Sequence, residues 1–225
     1  MSAPEAGAAA LARRRRAVVT TGVVGAALLG AGLTAPAGSG RFYGLTAATA
    51  ATYVAGSLAS GPIRRGSRRV LAPAVVGAGA FGVFYAGGLV ARRIPFARRA
   101  ISRILGYAAQ GIDPLVVGVA VANGVAEEMY FRGAVYDAAG GRRPLATSTV
   151  AYVAATTATR NPALVFASVL MGALFAVQRR ATGGVQAPAI THLVWSVLMM
   201  RFLPPLFAEE PIRPVPALDR SPATS

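Results

Sequence analysis

The sequence predicts an all-α polytopic membrane protein: a transmembrane helical bundle of about seven spans (six to eight), with one interfacial amphipathic helix in addition. Of the 225 residues, 54% are hydrophobic and only 14% are charged, whereas about 25% of the residues of a soluble domain are charged. Long apolar runs carry no charge, as membrane helices require. The arginines stand in short clusters between these runs, as in the loops that flank membrane spans.

Seven apolar segments predict the spans in order. They cover about residues 17–34, 42–61, 70–91, 112–136, 145–159, 162–178 and 185–203. A helix needs about 20 residues to cross the hydrocarbon core. The fifth and sixth segments are shorter than that, so we expect them to tilt little or to end inside the protein.

Residues 92–111 have a different pattern from the seven apolar segments. Ile94, Ile101 and Ile104 recur at helical spacing, and Arg99 and Arg103 lie on the other side of the helix. This pattern indicates an amphipathic helix at the membrane interface. The chain then divides into a disordered basic N-terminus (1–16), a transmembrane domain (17–203) and a Pro-rich tail (204–225).

The N-terminus has two interpretations. Arg13 to Arg16 followed by the apolar residues 17–32 resemble the first two regions of a signal peptide, and Ala35-Pro36-Ala37 supplies small residues. Because the rest of the chain is also apolar enough to be embedded in a membrane, we favour an uncleaved first span.

The net charge of +15 comes from 23 basic residues, all of them arginine. In a soluble protein this charge would suggest nucleic acid binding, but arginine clusters between apolar segments favour a membrane lipid partner and no nucleic acid.

With a cytoplasmic N-terminus and seven spans, every arginine cluster except 92–103 falls on the cytoplasmic side. The all-Arg, Ala-rich composition suggests a GC-rich genome, and we expect a bacterial cytoplasmic (inner) membrane. Without cysteine, disulfides and thiol nucleophiles are excluded.

Two adjacent carboxylates, Glu127 and Glu128, lie inside the otherwise apolar fourth segment. A carboxylate in a bilayer costs at least about 2.5 kcal/mol, so both need a partner or a function. Arg132 follows Glu128 by four residues on the same helix face and can pair with it. Glu127 points about 100° away, and a desolvated carboxylate suits a general base acting on water. The alternative is that Glu127, Glu128 and Arg132 form an ion network that stabilises helix packing and takes no part in a reaction.

The single histidine, His192, lies in the seventh segment, and Ser196 follows it by four residues on the same side of the helix. At 1.5 Å per residue, Glu127 lies roughly 13 Å, His192 roughly 10 Å and Thr156 roughly 16 Å from the inner ends of their segments. These similar depths allow the side chains to meet near the cytoplasmic side. The alternative interpretation is that His192 is a core residue whose ring nitrogens are hydrogen-bonded within the protein and that has no catalytic role.

These residues resemble the CPBP (CAAX protease and bacteriocin-processing, Abi) family of intramembrane proteases, which includes the type II CAAX prenyl endopeptidases. The run Glu127-Glu128-Met129-Tyr130-Phe131-Arg132 is similar to the family signature Glu-Glu-x-x-x-Arg. The segment 182–196, a Thr-Gly turn followed by a span with His192, resembles the last family motif. The resemblance covers about residues 112–203.

The resemblance implies an all-α membrane fold with its active site facing the cytoplasm. It assigns the base that activates water to Glu127, a supporting ion pair to Glu128 and Arg132, and an assisting role to His192. In the family, histidines and an Asn from later spans assist either as metal ligands or by stabilising the oxyanion.

Two positions depart from the family pattern. The middle motif, an aromatic residue followed after three others by His, has its nearest match at Tyr152 and Thr156, with Arg160 as another candidate for the histidine position. Ser196 stands where the last motif has Asn. Zinc would have Glu127 and His192 as protein ligands plus oxygen ligands, whereas zinc sites take three or four ligands. A glutamate-type mechanism, with oxyanion donors from His192, Ser196 and Thr156, fits the residues better.

Three functional hypotheses follow. The leading one is an intramembrane endopeptidase, of glutamate type or a metalloprotease, that hydrolyses a peptide bond of a membrane-associated protein or peptide. The second is a non-catalytic family member that acts as a membrane scaffold or immunity factor. The third is a small proton-coupled transporter that uses Glu127 and Glu128, although paired halves with broken helices are not evident in the sequence.

Overall fold

The computed structural model describes residues 3–106, 114–141 and 143–208, which form helices and connecting loops without a β-strand. Residues 107–111 of the predicted interfacial helix and 209–225 of the Pro-rich tail lie outside the described residues. The helices are α1 (Ala3–Gly32), α2 (Gly40–Ala59), α3 (Leu71–Ala91), α4 (Pro95–Leu105), α5 (Pro114–Glu127), α6 (Tyr136–Ala138), α7 (Pro144–Thr157), α8 (Pro162–Thr182) and α9 (Gln186–Phe202). A π-helical segment, Glu128–Val135, joins α5 to α6, and a 3₁₀ turn, Pro204–Leu206, follows α9.

Local sequence signals explain several helix ends. The Ser39 side chain accepts a hydrogen bond from the Phe42 amide at the start of α2, and Asn161 does the same for the first amides of α8. Such side chains satisfy amides that have no partner within the helix. At the end of α8, Gly183 has φ of 76°, the left-handed conformation in which glycine pays no steric cost.

Helix α1 begins at Ala3, inside the segment 1–16 that we predicted to be disordered. Alanine and arginine are strong helix formers, so the Ala-rich start and the four arginines extend the first apolar segment toward the N-terminus. Sequence periodicity could not reveal this extension because the segment has no single apolar face.

Two of the described helices, α3 and α8, are long and apolar enough to cross a membrane. Helix α7 has 14 residues and is about 21 Å long, shorter than the hydrocarbon core of about 30 Å. The all-helical class is confirmed, and the count of seven spans stays a prediction. On α3, Leu71 and Val83 are 77% and 69% exposed, as expected for side chains that face lipid.

The amphipathic pattern of residues 92–111 corresponds to α4, which covers Pro95–Leu105. Arg98, Arg99 and Arg103 are exposed, while Ala100 is buried. The Asn161 side chain donates a hydrogen bond to the Ala100 carbonyl over 2.9 Å and ties α4 to the start of α8. The amphipathic helix is therefore present, and its location at a membrane interface stays a prediction.

The aromatic core lies where α1, α2, α7 and the π-helical segment meet. Tyr53 and Tyr130 stack with their ring centroids 4.7 Å apart, and Phe131 packs edge-on against both rings. All three side chains are at most 2% exposed. This packing holds the first half of the π-helical segment, which also carries Glu128 and Arg132.

Candidate active site

The π-helical segment carries two of the predicted site residues, Glu128 and Arg132. All of its residues except Met129 are buried. Wider π turns inside α-helices are frequent at functional sites because they change the direction of side chains and free backbone groups. Here the carbonyl of Arg132 accepts a hydrogen bond of 2.7 Å from Nε of Arg179 on α8.

Glu128, Arg132 and His192 form one buried cluster. Arg132 Nη1 lies 3.2 Å and His192 Nδ1 lies 3.0 Å from the same oxygen, Oε1 of Glu128. Glu128 and Arg132 are fully buried, and His192 is 6% exposed. The pairing that the i, i+4 spacing predicted is therefore present, and α9 adds the histidine to it.

The guanidinium of Arg132 is held from three further directions. Its Nη2 donates to the Gly172 carbonyl of α8 over 3.1 Å. The rings of Tyr152 and Phe175 lie 4.5 Å and 5.0 Å from its Cζ atom, within the range of cation–π attraction. An added Cβ on Gly172 would lie 3.2 Å from Tyr152 and 3.5 Å from Arg132 Nη2, so glycine permits this close approach.

Glu127 has a different environment from its neighbour. It is half-buried, and its Oε2 accepts a hydrogen bond of 3.1 Å from the hydroxyl of Tyr152 on α7. Because Glu127 points about 100° away from Glu128, it needs a partner of its own, and this hydroxyl is that partner. The sequence alone did not identify it. The signal was the aromatic residue of the middle motif, which is a tyrosine here and so carries a donor.

The ring of His192 is fixed between helices. It stacks on Phe175 with centroids 4.9 Å apart and an interplanar angle of 22°. On α5, an added Cβ at Gly124 would lie 3.7 Å from the Nε2 edge of the ring. Because Nδ1 contacts Glu128, Nε2 is the nitrogen through which His192 can reach a further group.

Residues 110–198 match the model of the Type II CAAX prenyl endopeptidase Rce1-like family. The chain carries an Rce1-like region. This match confirms the resemblance drawn from the two motifs, and the whole Glu128–Arg132–His192 cluster lies inside it. Proteins of the family are membrane proteases. No curated protein and no solved structure matches the chain.

The assisting roles of Thr156 and Ser196 stay predictions. Thr156 is buried, and its hydroxyl donates to the backbone carbonyl of Tyr152 over 2.8 Å, as helical threonines commonly do. An oxyanion role for Thr156 requires that bond to break. Ser196 is half-buried one turn beyond His192. Arg160, the other candidate for the middle-motif position, is exposed at the end of α7 with φ of 52°, outside the cluster.

Glu127 and His192, the two zinc ligands considered from the sequence, have different partners, because Glu127 accepts from Tyr152 and His192 contacts Glu128. Oε1 of Glu128 contacts both Nδ1 of His192 and the guanidinium of Arg132. A guanidinium bound to a carboxylate repels a second cation at that carboxylate. Across residues 3–106, 114–141 and 143–208, no three His, Asp or Glu side chains form a group that could hold a metal ion.

An extended segment supports the last motif from outside the Rce1-like region. Between α2 and α3, the backbone carbonyls of Arg64 and Arg65 accept hydrogen bonds from the amides of Val185 and Gln186 at 2.9 Å and 3.0 Å. Gly184 packs directly on the backbone of Arg65, so a Cβ there would clash. The N-terminal half of the chain thus fixes the turn that leads into α9 and His192.

Proposed function

We propose that the chain is an intramembrane endopeptidase of glutamate type, in which Glu127 activates water to hydrolyse a peptide bond of a membrane-associated protein or peptide. The observation that carries this proposal is the unequal environment of the two adjacent carboxylates. Glu128 is fully buried and contacts Arg132 and His192. Glu127 is half-buried, and within residues 3–106, 114–141 and 143–208 its hydrogen-bond partner is Tyr152, which donates to Oε2.

The contacts of Glu128 suit a supporting role. Its Oε1 holds a guanidinium and an imidazole, and its Oε2 has no hydrogen-bond partner among the described residues but is fully buried, so neither oxygen is open to solvent. Glu127 keeps Oε1 for a water molecule. In our proposal it takes a proton from that water as the hydroxide oxygen bonds to the carbonyl carbon, and it later gives the proton to the amine as the C–N bond breaks.

The developing oxyanion needs a donor close to the attacked carbonyl. We assign this role to Nε2 of His192. When His192 is protonated, Nδ1 donates to Glu128 and Nε2 donates to the oxyanion. Tyr152 keeps the Glu127 carboxylate oriented through its hydroxyl, and the ring of Phe175 holds the imidazole plane. Ser196 remains a candidate for a further donor on the same side of α9.

The test compares membrane proteomes of cells that express the wild type or Glu127→Gln, with new protein termini mapped by mass spectrometry. Arg180→Gln, which changes an exposed residue in the last turn of α8, is the matched control. We expect termini that appear with the wild type and with Arg180→Gln but not with Glu127→Gln. Equal membrane levels and equal thermal midpoints of the three proteins must accompany the comparison.

One observation favours the second candidate, a non-catalytic scaffold or immunity factor. The family's middle-motif histidine has Thr156 in its place, and this hydroxyl is engaged by its own helix. Identical terminus maps for the three folded proteins would support this alternative and overturn the protease proposal.

A further inference from the structure

A groove with a volume of about 590 Å³ runs along the side of the bundle between α1 and α7. Its walls are Val19, Gly22 and Val23 from α1 and Ala151 and Ala154 from α7, and Phe131 forms part of its floor. Its volume is within the usual range of small-molecule sites. Small apolar side chains on both walls leave space for a slender apolar ligand.

The length of the groove matches one leaflet of a bilayer. Along α1 its lining runs from Arg15 to Ala26, a rise of about 17 Å at 1.5 Å per residue. Half of the hydrocarbon core is about 15 Å thick. An acyl chain that starts at the membrane surface beside Arg15 would therefore end close to the bilayer midplane near Ala26.

Charge is concentrated at one end of the groove. Arg15 is exposed, and its Nε donates to the Ala138 carbonyl over 3.3 Å, which fixes the guanidinium at the opening. The other four N–H donors of an arginine point away from such a contact and suit a phosphate. Arg13 and Arg16 flank it and are also exposed. Arg14 is partly neutralised by Asp137, 3.7 Å away.

We propose that this groove binds an anionic phospholipid, with one acyl chain between α1 and α7 and the phosphate at Arg15. An anionic headgroup complements the exposed arginines, whereas the cationic group of a zwitterionic choline lipid would meet like charge. The proposal does not depend on peptide hydrolysis. It does place a lipid against Phe131, whose ring packs 5.0 Å from that of Tyr152.

The experiment is native mass spectrometry of the full chain released from detergent, after incubation with equal amounts of phosphatidylglycerol and phosphatidylcholine of identical acyl chains. For the wild type we expect one retained lipid and a preference for phosphatidylglycerol of about tenfold, as 1.4 kcal/mol of selective charge attraction gives. In Arg15→Gln the preference should fall toward one, while Arg180→Gln should keep it.

The apolar part of the site is tested separately. Ala154→Trp fills the groove from α7 and should lose both lipids, and Val19→Trp does the same from α1 if the first variant fails to fold. Val150→Trp, one turn away on α7 and outside the groove, is the matched control and should retain binding.

Three results would overturn the proposal. Equal loss of preference in Arg15→Gln and Arg180→Gln would mean diffuse attraction to a basic surface. Retained lipid in a folded groove-filling variant would put the acyl chain elsewhere. If a prenylated peptide added to the same incubation displaced the phospholipid, the groove would be assigned to the substrate.

Discussion

Replacing Tyr152 by Phe removes one oxygen atom from the proposed active site and little else. The lost contact is the 3.1 Å hydrogen bond to Oε2 of Glu127. The phenyl ring retains its position 4.5 Å from the Arg132 guanidinium and its packing on Phe131. A hydrogen bond to a charged group contributes about 1.5–3 kcal/mol. If that energy orients the base in the transition state, kcat/KM falls by about 10- to 150-fold.

The assay measures cleavage of the substrate identified by terminus mapping, with purified protein in lipid vesicles. Thr157→Val is the matched control, because the exposed Thr157 hydroxyl donates to the Ala154 carbonyl within the same helix. We expect a change of less than about threefold for this variant, because a hydrogen bond between uncharged groups on the exposed side of α7 affects stability more than rate. A decrease below threefold for Tyr152→Phe, or an equal decrease for both variants, would refute the assignment of Tyr152 to Glu127.

Two further variants test the packing that supports the site. Arg132→Met should lower the free energy of unfolding by about 3–5 kcal/mol, because it leaves Glu128 buried with one partner fewer. Denaturant unfolding in micelles followed by circular dichroism measures this loss, and a value below about 1 kcal/mol would contradict the buried ion pair. Gly184→Ala should cost about 1–3 kcal/mol, because its Cβ would press on the backbone of Arg65. Gly141→Ala has open space around it and should leave the thermal midpoint unchanged, so an equal change in both variants would argue against close packing at the turn.

The pairing of Glu128 with Arg132 was predictable because it is local. Residues four apart on an α-helix share a face whatever the rest of the chain does, and the pair keeps this contact inside the π-helical segment. Helical rise depends on residue count alone, so His192 was expected at the level of the two carboxylates, and it contacts Glu128. Residue count does not indicate which carboxylate the imidazole contacts.

The partner of Glu127 was not predictable in the same way. Tyr152 is 25 positions away along the chain, and its hydroxyl meets the carboxylate through the way α7 packs against the π-helical segment. Rotation of α7 about its axis decides which of its side chains faces Glu127, and no local pattern reports that rotation. The oxyanion role of Thr156 stays a prediction, because its bond to the Tyr152 carbonyl is a local contact of helical threonines.

The sequence by itself determined the all-helical class, the approximate ends of most helices and the family of residues 110–198, because these depend on apolar run length, helix-ending residues and short motifs. Only the tertiary structure decided how the site is divided between its two carboxylates. Glu128 is enclosed by α8 and α9, while Glu127 faces α7 and keeps partial exposure. Side-chain environment is set by contacts between distant segments, so two adjacent and chemically identical residues acquire different surroundings.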